Sequence, residues 1–212
     1  MEIPGSPLQI GVMNISAALP WILWMASVSC SAQTLVIRLY DYANLSAKET
    51  VRLTEAAGQA FGHSGIHIAW LHCRGAMAAG PAAACEGAPA ANQVMVRILR
   101  SGPPRTYAGT LSLGYSVVTS AGGQLATVSV PAVRELATEL GVAFDLLMGY
   151  AAAHEAGHCL LGPGHSYVGL MRATWTRKDA EEIARVSLHL TKQEVRKAAA
   201  RLAAAQPPAG SY

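Results

Sequence analysis

Apolar and polar residues alternate from Thr34 to Tyr42, a stretch also rich in β-branched side chains. A period of two predicts a strand with one face buried. Ser46-Ala47-Lys48-Glu49 follows as a capping box, in which hydroxyl and carboxylate satisfy each other's backbone N–H groups, and it opens an amphipathic helix to about Phe61. Ile66 to His72 reads as a second strand and Gln93 to Arg100 as a third. Ser101-Gly102-Pro103-Pro104 breaks the chain, and beyond it Thr110 to Thr119 and Gln124 to Val130 flank Ala121-Gly122-Gly123 as the arms of a hairpin. Val142 to Leu161 differs from all of these: it is apolar, rich in Ala, Leu and Met, and free of proline, which predicts a long helix. Gly162, Pro163 and Gly164 end it. Thr176-Arg177-Lys178-Asp179 reads as a helix start, and Thr191-Lys192-Gln193-Glu194 is another capping box, opening an alanine-rich helix to about Ala205 that Pro207 and Pro208 stop. This order predicts an α+β fold with a mixed twisted sheet, one long helix and a C-terminal helical part; no internal repeat interrupts it.

The first residues stand apart from that pattern. No Lys or Arg precedes Arg38, and Ile15 to Ala32 is almost wholly apolar, with Pro20, Trp21 and Trp24 inside it. Residues 1–32 read as an export signal, with Met13 as a possible start and the small residues of Cys30-Ser31-Ala32 suiting signal peptidase before Gln33, although a basic n-region is missing. Two alternatives stay open: an uncleaved membrane anchor over residues 15–32, whose length is borderline for spanning, and a lipoprotein acylated at Cys30. The remainder divides into one domain at 33–206, a size that supports a core of its own, and a flexible tail at 207–212. Secretion or attachment to the cell envelope is the expected location.

Only 14% of the 212 residues are charged and the net charge is +3, with the basic residues scattered or gathered on the last helix, so the chain carries no nucleic-acid footprint. Cys73 and Cys85 bracket an Ala/Gly/Pro-rich segment that a disulfide would staple in an oxidising compartment. Cys159 reads as a small buried apolar residue rather than a ligand or nucleophile.

Chemistry concentrates on the long helix. His154-Glu155-Ala156-Gly157-His158 places two imidazoles four residues apart, hence on one face, where they can converge on one metal ion. Glu155, one step round the helix, can take a proton from the water such an ion activates and later hand it to a leaving amine. A regular helix cannot supply a third ligand opposite the first two; the Gly162-Pro163-Gly164 breaker returns the chain, and His165 is the candidate. Three protein ligands and one open position describe a catalytic rather than a structural zinc site. His63, His67 and His72 fall at a helix end and at different places in a strand, where surface or packing roles are expected.

Together, His154-Glu155-x-x-His158-x-x-x-Gly162-x-x-His165 and the following Gly169-Leu170-Met171 resemble the metzincin clan of zinc peptidases, whose pattern is HExxHxxGxxH with a methionine-containing turn beneath the metal. The glycine and third histidine each come one residue later than in the clan, a difference the Pro-Gly turn can absorb. The resemblance covers roughly residues 33 to 204 but is motif-specific only over 154 to 171. It implies a compact metzincin-like domain, one catalytic zinc ion, a peptide or protein substrate, Glu155 as general base, and Met171 as an apolar floor under the histidines. It also implies an edge strand that binds extended substrate through main-chain hydrogen bonds, for which Gln124 to Val130 is the candidate. No tyrosine follows Met171; Tyr167 is either an oxyanion donor or a residue of the cleft rim.

Two competing readings accompany this one. In gluzincin-type ligation a glutamate on a later helix, here Glu181 or Glu182, replaces the third histidine, although both fall in the first turns of their helix where acidic side chains suit the dipole. In the other, the chain is a non-catalytic exported zinc-binding or interaction protein. The expected function is a secreted or envelope-associated zinc metallopeptidase, which touches a membrane only if residues 15–32 remain as an anchor.

Overall fold

Leu35, Ile37 and Leu39 alternate with Val36, Arg38 and Tyr40, and only the first set is fully sequestered among apolar neighbours. That alternation makes β1 (Gln33–Asp41) the first strand of a half-covered sheet. The computed structural model describes residues 33–62, 64–79, 82–101, 105–107, 110–119 and 122–205. The expected export segment or anchor at 1–32, the tail at 207–212 and His63 lie outside the described residues.

After β1, Ser46 caps α1 (Ala47–Ala60) through the capping box with Glu49. The chain continues through β2 (Ile66–Arg74), a single turn α2 (Ala82–Cys85) and β3 (Gln93–Leu99). Two short strands, β4 (Arg105–Tyr107) and β5 (Thr110–Ser112), pair with each other in a separate ribbon. Then come β6 (Gly114–Thr119) and β7 (Gly122–Ser129), followed by α3 (Val130–Leu140), α4 (Phe144–Leu161), α5 (Arg177–Ala184) and α6 (Lys192–Ala204). The fold is α+β, with a mixed sheet ordered β2-β1-β3-β7-β6 in which all neighbours are parallel except the antiparallel pair β6 and β7.

Three differences from the sequence pattern emerge. The run Thr110 to Thr119 is two strands, parted at Leu113 and serving different sheets. Residues after Val130, to which the pattern assigns no element, form α3: the Ser129 hydroxyl accepts from the Ala132 N–H, a proline occupies the first turn where its missing N–H is not needed, and Gly141 closes the helix at φ 70°. The third concerns the sheet edge. The segment Gln124 to Val130 is not an edge strand, because β7 lies between β3 and β6; among the described residues the edge on that side is β6.

One face of the sheet carries Leu35, Ile37, Leu39, Val94, Val96, Ile98, Ala126 and Val128, and with Leu53, Ala56 and Ala57 of α1 and Leu147, Met148, Ala151 and Ala152 of α4 they build the core. Each large apolar side chain removed from water there contributes about 1.5–3 kcal/mol. Helix α4 is buried on nearly all sides, and its N-cap Ala143 offers no side-chain bond, so packing rather than capping maintains it.

On the opposite face, Cys73 and Cys85 form a disulfide with Cα atoms 5.5 Å apart. Arg38 donates to the Gly87 carbonyl at 3.1 Å, Tyr40 to the Cys85 carbonyl, and Gln124 to the Pro89 and Ala90 carbonyls, so β1 and β7 hold Cys85 and the residues just after it against the sheet. Among the described residues, no helix is long and apolar enough to cross a membrane.

Candidate metal centre

Helix α4 delivers His154, Glu155 and His158 from a buried frame, and the frame constrains the rings. His154 Nδ1 lies 2.8 Å from the Leu170 carbonyl, and His158 Nδ1 lies 3.3 Å from the Gly162 carbonyl. A carbonyl only accepts, so each Nδ1 carries the proton and each Nε2 presents a lone pair. Those two Nε2 atoms face each other at 3.1 Å. Two lone pairs so close repel unless a cation lies between them. Two nitrogens bound to one tetrahedral zinc at 2.0–2.1 Å would stand about 3.3 Å apart, so the donor spacing suits such an ion.

His165 completes the group. Gly162 ends α4 at φ 90°, ψ −175°, a conformation that residues with a side chain avoid, and the chain turns there. The His165 ring stacks at 5.5 Å from that of His154 and meets that of His158 edge-on at 4.8 Å. The donor atoms of all three lie within 4.8 Å of one another, close enough to hold a metal ion. Burial pushes His154 down to about 3, with His158 adding to the effect and the Leu170 hydrogen bond opposing it; burial likewise lowers His158 and His165. All three are therefore neutral near pH 7, the form that ligates.

Glu155 is 6% exposed and grips the edge strand. The Ser116 hydroxyl of β6 lies 2.7 Å from Glu155 Oε2 and 2.8 Å from the Glu155 carbonyl, donating its single proton to one or the other. Gly114 gives the carboxylate its room: a Cβ there would fall 2.2 Å from the Thr127 carbonyl oxygen and 2.9 Å from Glu155 Cγ. Burial pushes the Glu155 carboxyl up to about 7, against the lowering effect of the Ser116 hydrogen bond. A carboxyl held near neutrality exchanges protons with little driving force either way, as a general acid and base requires.

Met171 is buried, and its sulfur lies 2.5 Å from the position a Cβ on Gly157 would take, so it packs against the helical turn between His154 and His158. Trp175 stands edge-on to the His154 ring at 5.7 Å, and its Nε1–H shares the Leu170 carbonyl at 3.3 Å. Arg172 is tied to Asp179 at 3.0 Å, which anchors the return from this turn to the start of α5.

The remaining sequence candidates fall elsewhere. Glu181 and Glu182 are not in the cluster, and Glu181 faces Arg185 at 3.8 Å on an exposed surface. His67 and His72 do not join it either. Tyr167 is 97% exposed. Cys159 is a free, buried thiol that burial, and secondarily the charge of Glu155, pushes up to about 12, so it is neither thiolate ligand nor nucleophile. Ser116, Gly114 and Trp175 are absent from the sequence reading, since Ser116 lies 39 residues before Glu155 and only the strand order brings it there.

A cleft of about 260 Å³ opens beside His165, between the end of α4 and the first turn of α6. The larger groove, about 460 Å³ between α1 and β2, is lined by Gly58, Ile68, Trp70 and neighbours and includes none of these residues. The site, not cavity size, therefore marks the chemistry. Neither models of known protein families nor curated proteins yield a match to this chain.

Proposed function

We propose that the chain is a zinc-dependent peptidase of metzincin type, in which His154, His158 and His165 hold one zinc ion and Glu155 is the general base. The observation that carries this reading is the pair of facing Nε2 atoms at 3.1 Å, with both Nδ1 atoms committed to carbonyls, a third imidazole alongside and a buried carboxylate one residue away. A donor set of three neutral imidazoles with an open position suits catalytic zinc. When bound, zinc supplies a Lewis acid and lowers the pKa of water to near neutrality.

The chain's own groups perform the rest. Glu155 takes the proton from the attacking water and returns it to the leaving amine, while the Ser116 hydroxyl holds its carboxylate in place. The outer edge of β6 offers main-chain groups to an extended peptide, a role that passes from β7 to its neighbour once the strand order is known. The Cys73–Cys85 disulfide supports work in an oxidising compartment, in keeping with an exported protein.

Zinc content and cleavage of a mixed peptide library, measured together on wild type and Glu155→Gln, test the proposal. The expected result is about one zinc in each protein and cleavage by wild type alone. Zinc uptake without cleavage by wild type would favour the non-catalytic zinc-binding alternative.

A further inference from the structure

The loop that carries His165 is glycine-flanked and solvent-facing. Gly162 and Gly164 sit at φ 90° and 119°, and His165 itself is exposed. Besides its own closure from Ser166 to Met171, its fixed points come from the C-terminal segment. The Glu194 carboxylate, 9% exposed, accepts from the Ser166 hydroxyl through Oε1 and from the Thr191 N–H through Oε2 at 2.7 Å. The Leu170 N–H donates to the His189 carbonyl at 2.9 Å, and Ser166 N–H closes back onto the Met171 carbonyl at 2.8 Å. Lys197 Nζ meets the Leu161 carbonyl at 2.5 Å, where α4 ends.

We infer that Glu194 is a positioning residue for the third metal ligand: one of its oxygens caps α6 while the other fixes Ser166, and through it the approach of His165. The inference rests on the three-histidine reading of the metal site and adds to it a long-range tether. A helix cap alone needs the Thr191 backbone contact and the Thr191 hydroxyl; it does not need Ser166, 28 residues away. The extra bond makes sense where it occurs, because a glycine-flanked loop must otherwise be ordered by the metal itself, which weakens binding.

The test is zinc affinity, read by competition with a chromogenic chelator on the full chain, for wild type and for Ser166→Ala, Ser166→Thr, Thr191→Ala, His165→Ala and the Ser166→Ala/His165→Ala pair. Ser166→Ala is expected to bind zinc roughly 10- to 100-fold more weakly, as loss of a group that orients a ligand does, and to have no further effect once His165 is gone. Ser166→Thr keeps the hydroxyl and restores affinity. Thr191→Ala removes the cap's side-chain acceptor but leaves the Ser166 bond, so it lowers the melting temperature while zinc affinity stays within about twofold, well short of that loss. Wild-type affinity in Ser166→Ala, or an equal loss with and without His165, overturns the inference while leaving the metal site intact. A wild type that takes up no zinc overturns the peptidase reading along with it.

Discussion

The ligands of the candidate centre come from two kinds of structure. His154 and His158 project from a helix buried on nearly all sides, with ring orientations set by the Leu170 and Gly162 carbonyls. His165 arrives on an exposed, glycine-flanked loop, tethered from α6 by one carboxylate. The first pair is preorganised by the core and the third by a part-buried contact with α6. Affinity for the metal should therefore fail in two ways: abruptly at the helix and gradually at the loop.

The largest effect sharpens that contrast directly. His158→Ala should abolish measurable zinc retention after dialysis, whereas His165→Ala should leave weakened but detectable binding; equal losses would erase the distinction. At the sheet edge, Gly114→Ala forces a Cβ against the Thr127 carbonyl and Glu155. It should destabilise the fold by about 1–3 kcal/mol in urea melts and reduce peptide cleavage, while the histidines keep their zinc.

Removing the disulfide with Cys85→Ser should lower stability by about 2–4 kcal/mol yet leave zinc affinity unchanged, because that loop lies against the outer face of the sheet, away from α4. A change in zinc affinity would show that the two regions are coupled.

The smallest effect concerns Asp179, behind the methionine turn. Burial raises its carboxyl, but hydrogen bonds from Thr176 and the nearby Arg172 outweigh it and hold the group below its ordinary value of 3.8. Its contribution is therefore present above pH 3.8 and lost as pH falls through the lowered folded-state value. Asp179→Asn should lose about 1 kcal/mol near neutrality and flatten that part of the acid-unfolding profile, an outcome that parallel melts at several pH values would check.

What the chain reveals locally, it reveals well. Ser46, Thr176 and Thr191 are helix caps, and all three reciprocal bonds form because a capping box is a contact between residues three apart. The histidine pair is legible for the same reason, and the Cys73–Cys85 bridge spans only 12 residues. Helix α3 escaped because Val130 continues the alternation of β7 while already beginning the helix, and the proline beside it reads as a break. Strand order was illegible: nothing in Gln124 to Ser129 says that β6 will add outside it. Ser116 and Gly114 remained hidden with it, since their relation to Glu155 exists only once β6 is the edge. The Ser166–Glu194 bond escaped because the capping box already accounted for Glu194.

The most direct test of the central claim is X-ray absorption at the zinc edge of the purified, zinc-loaded full chain. Three imidazole nitrogens and one light oxygen donor at roughly 2.0–2.1 Å are predicted. A zinc shell with only two imidazoles, a sulfur ligand, or no retained zinc at all would contradict it.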